Sequence, residues 1–279
     1  MKIPISLILS GILLSGCSIE VPENANPGMS DEELQREARR LADELIIIDT
    51  HIDTPYRMEE TESPIDLSVR SDEGDFDFPR AREGGLNAAF MSIYIPASFQ
   101  ETGGAREKAE KLIDRVESFE SRWPDQCAVA RSPQDVRDHF EKGLISLPMG
   151  MENGAALEND LANLEHFYNR GIRYITLTHS KANQICDSSY DPERKWNGLS
   201  PFGKKVVAEM NRLGIMIDIS HVTDDTFRQV VELSRTPVIA SHSSCRYFTP
   251  GWERNMLSLI HISEPTRPLY ISYAVFCLK

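Results

Sequence analysis

The feature that most constrains this chain is a set of apolar runs that each end on a metal-type side chain. His51 and Asp53 close IIIDTHIDTP, Glu152 closes ISLPMGMENG, His221 closes GIMIDISHVT and His242 closes PVIASHSS. A strand that buries Ile and Val and then presents His, Asp or Glu at its C-terminal tip is how a parallel α/β barrel assembles an active site. Zinc takes its ligands from these same residue types. One such strand end carries little information; four in one chain restrict both fold and chemistry.

The segments between these runs keep a regular rhythm. Ser30-Asp31-Glu32-Glu33 opens a helix, with an N-cap and an acidic first turn, that reaches about Glu44. Strands are predicted at Leu45 to Ile48, Gly85 to Ile95, Leu144 to Met151, Ile172 to Thr178, Ile215 to Ile219 and from Pro237 to Ala240. Helices are predicted over Ala105 to Arg122, from Ser132-Pro133 onward, over Leu157 to Asn169, from Ser200-Pro201 to Leu213 and over Thr223 to Ser234. A cap followed by proline marks two of the starts, and Gly214 marks one of the ends. Strands alternating with helices imply βαβ units and a parallel sheet. The expected fold is α/β, a TIM-type (β/α)8 barrel that is incomplete at about six strand-helix units.

The 279 residues, 41% hydrophobic and 26% charged, suit one large globular domain or two small ones. A net charge of −13 argues against nucleic acid as a partner, which needs a basic face. Residues 1–17 have the form of a lipoprotein signal peptide: Lys2, an apolar stretch from Ile3 to Leu14, then Leu14-Ser15-Gly16-Cys17. On this reading Cys17 is acylated, residues 18–30 form a flexible tether, and the protein sits lipid-anchored in a bacterial cell envelope. An ordinary signal peptide with an incidental cysteine is the alternative. Cys127, Cys186, Cys245 and Cys277 remain, and their spacing selects neither a disulfide pair nor a zinc site. The rhythm holds through residues 31–256 and is lost in 257–279, LSLIHISEPTRPLYISYAVFCLK, which resembles translated sequencing-adapter read-through. The expectation is a non-native tail with the native frame lost at about Met256 and two barrel units missing. A genuine short C-terminal strand and loop is the alternative.

The candidate site residues differ in how much each says alone. His51 and Asp53 stand two apart at a strand end, so both point to one side and can share a metal, although Asp at such a place usually caps a helix. Glu152 carries two oxygens and can serve two cations. His221 and His242 are 21 residues apart, about one strand–loop–helix unit, which would set two imidazoles at equal height on adjacent strands. His179, ending YITLTH, either donates to a developing oxyanion or packs and caps locally. Arg254 either forks onto a carboxylate or faces solvent. His139 and His166, in charged helical stretches, read as surface residues.

Taken together, these residues resemble the membrane dipeptidase (renal dipeptidase) family of zinc metallopeptidases. The resemblance runs from about Leu45 to Met256 and is most specific in IDTHIDTP, FDFPRAREGGLNAAFMSIYIP, GMENG, LEHFYNRGIRYITLTHSKAN, GLSPFGKKVVAEMNRLGIMIDISHVTDDTF and PVIASHSSCRYFTPGWERN. It implies two zinc ions per chain: His51 and Asp53 on the first, Glu152 bridging both, His221 and His242 on the second. It also implies that His179 contacts the substrate carbonyl or its tetrahedral intermediate, that Arg254 holds the substrate's C-terminal carboxylate, and that the protein is a homodimer. The family's further aspartate, at the eighth strand, has no counterpart before the resemblance ends at Leu257, so the chain is expected to lack a site residue.

The expected activity is hydrolysis of dipeptides by a metal-bridging hydroxide. Two rivals stay open: another binuclear amidohydrolase-like barrel, and a catalytically inactive lipoprotein that binds peptides or metal. The carboxylate of GMENG separates the family from relatives that bridge with a modified lysine, and the complete five-ligand set argues against an inactive binder.

Overall fold

The computed structural model describes residues 29–61 and 65–256. The signal peptide, nearly all of the tether, Cys17 and the 257–279 tail lie outside the described residues. The chain divides into two units, residues 1–40 and 41–279. In the first, α1 (Asp31–Glu44) begins and has the capping box that Ser30 and Glu33 predict: the Ser30 N–H donates to Glu33 Oε2 at 2.8 Å, and the Glu33 N–H to Ser30 Oγ at 3.4 Å. Among the described residues, no helix is long and apolar enough to cross a membrane.

The second unit is a parallel α/β structure. Its strands are β1 (Ile47–Ile52), β2 (Leu86–Tyr94), β3 (Cys127–Val129), β4 (Ile145–Leu147), β5 (Met149–Glu152), β6 (Ile172–Thr176) and β7 (Met216–Asp218). All their pairings are parallel, in the order β3-β4-β2-β5-β6-β7, with β1 on the other side of β2. The long β2 runs beside β4 with its first half and β5 with its second. The helices are α2 (Thr54–Glu60), α3 (Phe78–Glu83), α4 (Phe99–Thr102), α5 (Ala105–Arg122), α6 (Pro133–Glu141), α7 (Ala162–Asn169), α8 (Pro201–Leu213) and α9 (Asp224–Leu233).

Local chemistry sets these ends. The Ser132, Ser200 and Thr223 hydroxyls accept from the third residue beyond, capping α6, α8 and α9, and proline follows the first two caps. Gly214 ends α8 at φ 78°, where a side chain would be strained. Leu112, Ile113 and Val116 of α5 pack with Met91 and Ile93 of β2, Met151 of β5 and Ile175 of β6 in a core of fully buried apolar side chains.

The fold departs from the sequence reading in several places: α2, α3 and α4 were not expected, and the first strand lies at Ile47–Ile52 rather than Leu45 to Ile48. The run predicted over Leu144 to Met151 is two strands, because Pro148 has no N–H and breaks the ladder. The three-residue β3 had no sequence signal of its own. The helix expected from Leu157 begins at Ala162, after a 3-10 turn at Gly154–Leu157. The sixth predicted strand is reduced to one parallel bridge, Asp218 to Ile239, held by the Ile219 N–H to the Ile239 carbonyl and the Ile239 N–H to the Ile217 carbonyl, both at 2.9 Å. It still carries the chain from β7 to His242.

Candidate metal centre

Glu152 ends β5, and its carboxylate is the centre of the site. It is buried, 3% exposed, with four imidazoles around it. Its Oε1 lies 3.0 Å from His221 Nε2, 3.1 Å from His242 Nε2 and 3.7 Å from His179 Nε2. Its Oε2 faces the opposite way, 3.4 Å from His51 Nε2 and 3.5 Å from the Ser92 hydroxyl. The rings pack on one another: His51 stacks on His242 with centroids 3.8 Å apart, and His179 lies 4.3 Å from His221. Each histidine comes from a different strand end, so the parallel sheet is what brings together residues spread over nearly two hundred positions of sequence.

The backbone bends sharply as it leaves two of these strands. Asn153, directly after Glu152, holds φ 77°, and His221 holds φ 69°. Left-handed backbone costs a residue with a side chain about 1 kcal/mol or more, and it concentrates at functional sites. Asn153 is one of the residue types that adopts it most readily, and its side chain ties the turn down. The amide donates to the Ile95 carbonyl at 2.9 Å, and its oxygen accepts from the Asn183 amide at 3.0 Å and the Ala155 N–H at 3.3 Å. This explains the asparagine of GMENG. Its first glycine, Gly150, gives way to the Tyr174 ring, which a Cβ at that position would strike at 2.0 Å.

Asp53 stands at the N-cap position of α2 but makes no side-chain cap bond. Its Oδ1 lies 3.4 Å from His51 Nε2 instead, which settles the sequence ambiguity against simple capping. Its carboxylate is on the open side of the site, more than half exposed. Arg254 does not face solvent. It is buried, donating from Nη1 to the Ser243 hydroxyl at 2.5 Å and from Nη2 to the His242 carbonyl at 2.9 Å, with Nη2 also 3.2 Å from His221 Nε2. His179 is held edge-on by Tyr94, whose hydroxyl is 3.4 Å from its Nδ1. His139 and His166 are both half-buried rather than on the surface; His139 Nδ1 meets the buried Ser146 hydroxyl at 3.0 Å and His166 pairs with Glu110. Cys127, Cys186 and Cys245 are free thiols away from this cluster.

Charge follows the packing. Burial raises the cost of ionising Glu152, but bonds from His221, His242 and His51 outweigh it and hold the carboxyl well below its usual range. For His51 burial opposes the charged form, yet Asp53 and Glu152 push its pKa up to about 10. Burial takes His221 the other way, to about 4, aided by the Arg254 charge, and it lowers His179 as well.

These donors suit a metal. Ligand atoms of His51, Glu152 and His242 lie within 4.8 Å of one another, and so do those of Glu152, His179 and His221. The two groups share Glu152. Nδ1 of His221 is buried with no hydrogen-bond partner, and Nε2 of His221 sits 2.8 Å from Nε2 of His242, where at most one proton fits between them. Two carboxylates and four imidazoles are a borderline-soft donor set of the kind zinc takes. The grouping places His242 with His51 and brings His179 to the cluster, whereas the family resemblance pairs His51 with Asp53 and His242 with His221.

Sequence reasoning missed three supports. Tyr174, fully buried on β6, places its hydroxyl 2.8 Å from His51 Nδ1 and 3.1 Å from the Thr50 carbonyl. Asp218, fully buried at the tip of β7, accepts from Ser241, whose hydroxyl also meets His242 Nδ1 at 2.7 Å. Arg246 forks onto Asp224 at 2.6 and 2.7 Å and bonds the Glu253 and Asn255 carbonyls, pinning the loop that carries Arg254. A charge inside the apolar run GIMIDIS was the available signal for Asp218, since a buried carboxylate needs partners.

Known proteins resemble this chain in sequence and fold. Mouse dipeptidase 3 is 34% identical over 224 residues, which cover 78% of this chain and 44% of that protein. The crystal structure of the probable dipeptidase PvdM from Pseudomonas aeruginosa superimposes with a TM-score of 0.73 at 27% identity, covering 81% of this chain and 59% of that one. A metallopeptidase from Rhodobacter sphaeroides, solved with a phosphinate mimic of the dipeptide L-Ala-D-Ala, superimposes with a TM-score of 0.66 at 27% identity, over 76% and 68% of the two chains. The chain thus spans about half the length of the curated relatives it matches. Residues 35–256 match the membrane dipeptidase family, peptidase family M19, and the chain belongs to that family.

Proposed function

We propose that this protein is a metal-dependent hydrolase of dipeptides. The observation that carries the reading is the buried Glu152 carboxylate with four imidazoles converging on it, in a chain of the membrane dipeptidase family. His51, Asp53, Glu152, His221 and His242 are the residues that would hold two zinc ions. When bound, such ions polarise the scissile carbonyl and lower the pKa of a water to about 7.

The protein's own groups have the following parts. Glu152, held ionised, accepts the proton of the attacking water and returns it to the leaving amine. His179, kept neutral by burial, donates a hydrogen bond to the carbonyl oxygen as it gains charge. Arg254 presents a fixed charge to the free carboxylate of the substrate, which favours peptides ending one residue after the scissile bond. The surrounding apolar core limits water to the open side marked by Asp53. The lipid anchor on Cys17, the bacterial cell-envelope location and a homodimer belong to the same proposal.

The test is turnover of a dipeptide panel by the zinc-loaded protein. Glu152→Gln and His242→Ala should each abolish cleavage, and a chelator should do so reversibly. Unchanged turnover in either variant refutes the assignment. A zinc-loaded wild type inert on every dipeptide would favour a binding-only protein, and turnover of lactones or cyclic amides instead would favour a different binuclear hydrolase.

A further inference from the structure

Three of the four imidazoles have their far nitrogen on a hydroxyl, and at two of them, His242 and His51, that hydroxyl has a partner that can only accept. The Ser241 hydroxyl lies 2.6 Å from Asp218 Oδ2 and 2.7 Å from His242 Nδ1. A serine hydroxyl holds one proton. An ionised carboxylate takes hydrogen bonds and gives none. Asp218 is held ionised: burial opposes it, but the His242 ring and bonds from Ser241 and Thr176 outweigh that. It also accepts from the Ser241 N–H at 2.9 Å, the Ser220 N–H at 3.1 Å and the Thr176 hydroxyl at 2.5 Å. The Ser241 proton therefore goes to Asp218. What is left on Ser241 Oγ is a lone pair, and only a protonated Nδ1 on His242 completes the contact.

The same logic recurs at His51. Thr50 offers Tyr174 a carbonyl, again an acceptor only, and the Tyr174 hydroxyl donates to it at 3.1 Å. The phenolic oxygen then accepts from His51 Nδ1 at 2.8 Å. Both rings end with Nδ1 protonated and with Nε2 toward Glu152.

We propose that Asp218, acting through Ser241, and Tyr174, acting on the Thr50 carbonyl, are positioning residues that fix His242 and His51 in the Nδ1–H tautomer, so that each Nε2 is the nitrogen left for a metal. The idea rests on the metal-site reading only for its consequence; the His242 tautomer is a property of the metal-free chain, while His51, held protonated there by Asp53 and Glu152, would keep its Nδ1–H when a metal takes Nε2. Neither residue touches substrate. Asp218 is also distinct from Glu152, since its acceptor sites are filled by hydroxyl and backbone donors rather than by imidazoles.

The experiment uses the whole protein labelled with 15N-histidine. Long-range 1H–15N spectra of the metal-free form report which ring nitrogen of neutral His242 is protonated, and calorimetry reports the zinc affinity. Wild type should show protonated Nδ1. Ser241→Ala leaves the Asp218 pocket otherwise intact and should move His242 toward the Nε2–H form. Its zinc affinity should fall about 10- to 100-fold, the usual loss for a missing outer partner. Ser241→Thr keeps the hydroxyl and should restore both readouts. Asp218→Asn can donate to Ser241 Oγ, freeing the hydroxyl proton for His242, and should repeat the tautomer change if it folds. Tyr174→Phe, which removes the hydroxyl on His51 Nδ1, should lower the zinc affinity by a similar factor.

A Ser241→Ala protein that keeps the Nδ1–H tautomer and wild-type zinc affinity overturns the proposal while leaving the metal-site reading standing. A wild type that binds no zinc, yet shows the tautomer change on substitution, sinks the metal-site reading and keeps the relay. A fall in affinity that Ser241→Thr does not rescue, without a change of tautomer, assigns Ser241 a packing role and overturns the relay.

Discussion

Gly150→Ala tests how tightly the site is built into the sheet. A Cβ at Gly150 would lie 2.0 Å from Cζ of Tyr174 and 2.3 Å from both Cε atoms, distances that no side chain tolerates. Tyr174 cannot move aside cheaply, because its ring is fully buried and its hydroxyl bonds the Thr50 carbonyl and His51. Overpacking of this kind costs about 1–3 kcal/mol. A hydroxyl pulled from both partners adds a further ~1–3 kcal/mol. The expected total is ~4 kcal/mol, which lowers the melting temperature by about 8–16 °C for a chain of this size.

The assay is urea and thermal unfolding of the metal-free protein, with Tyr174→Leu and the double variant alongside. Leucine ends before the atoms that the new methyl strikes. Gly150→Ala should therefore cost little in the Tyr174→Leu background, with a coupling energy of at least ~2 kcal/mol. Tyr174→Phe, which keeps the ring and loses only the hydroxyl, should cost ~1–2 kcal/mol. A Gly150→Ala protein destabilised by less than ~0.5 kcal/mol, or costs that simply add, would refute the steric account of this glycine.

Two further outcomes follow from the geometry. Asp77, buried, caps α3 through the Arg80 N–H and also takes bonds from the Ser71 N–H and the Arg80 side chain. Burial opposes its ionisation, but these bonds hold its carboxyl below the usual range. A depressed carboxylate stabilises the fold above its unfolded pKa of about 3.9 and loses that contribution as pH falls through the lower folded value. Asp77→Asn should cost ~1–2 kcal/mol in urea unfolding at pH 7, with the gap to wild type closing below about pH 4. A gap unchanged down to pH 3 would contradict this. Arg246→Ala frees the loop that presents Arg254, so KM for a dipeptide should rise about fivefold, ~1 kcal/mol, with kcat little changed. An equal fall in kcat with KM constant would place Arg246 in the chemistry instead.

What could be read from the sequence was what repeats or stands out against its surroundings. Alternating apolar runs and capped helices give a parallel α/β unit, and His51, Glu152, His221 and His242 stand out because polar residues ending Ile- and Val-rich runs are conspicuous. The three histidines meet at the Glu152 carboxylate. Strand β3 stayed hidden because three residues are too few to show a period. The break at Pro148 was visible in ISLPMG but lay inside an otherwise unbroken apolar run. Tyr174, Ser241 and Arg246 were hidden for a different reason. Tyrosine, serine and arginine are common, and their value here lies in which atoms they meet across 123, 23 and 22 positions of sequence. Nothing in a one-dimensional pattern marks such pairs.

The two buried carboxylates of the site show how one environment can hold a charge in two ways. Isolated, either would be forced to take up a proton, because burial in a low-dielectric interior costs several kcal/mol per ion. Asp218 avoids this with two backbone N–H groups and two hydroxyls, donors that the fold itself fixes. Its charge is permanent and its position rigid. Glu152 is held by imidazole nitrogens that, under the proposed function, turn to a metal instead. Its hydrogen bonds are exchangeable, and a carboxylate whose partners can be withdrawn is one that can carry a proton between water and a leaving amine. On that reading, exchanging the two kinds of donor would remove the chemistry, so the hydroxyls around Asp218 and the imidazoles around Glu152 are as much a part of the site as the two carboxylates.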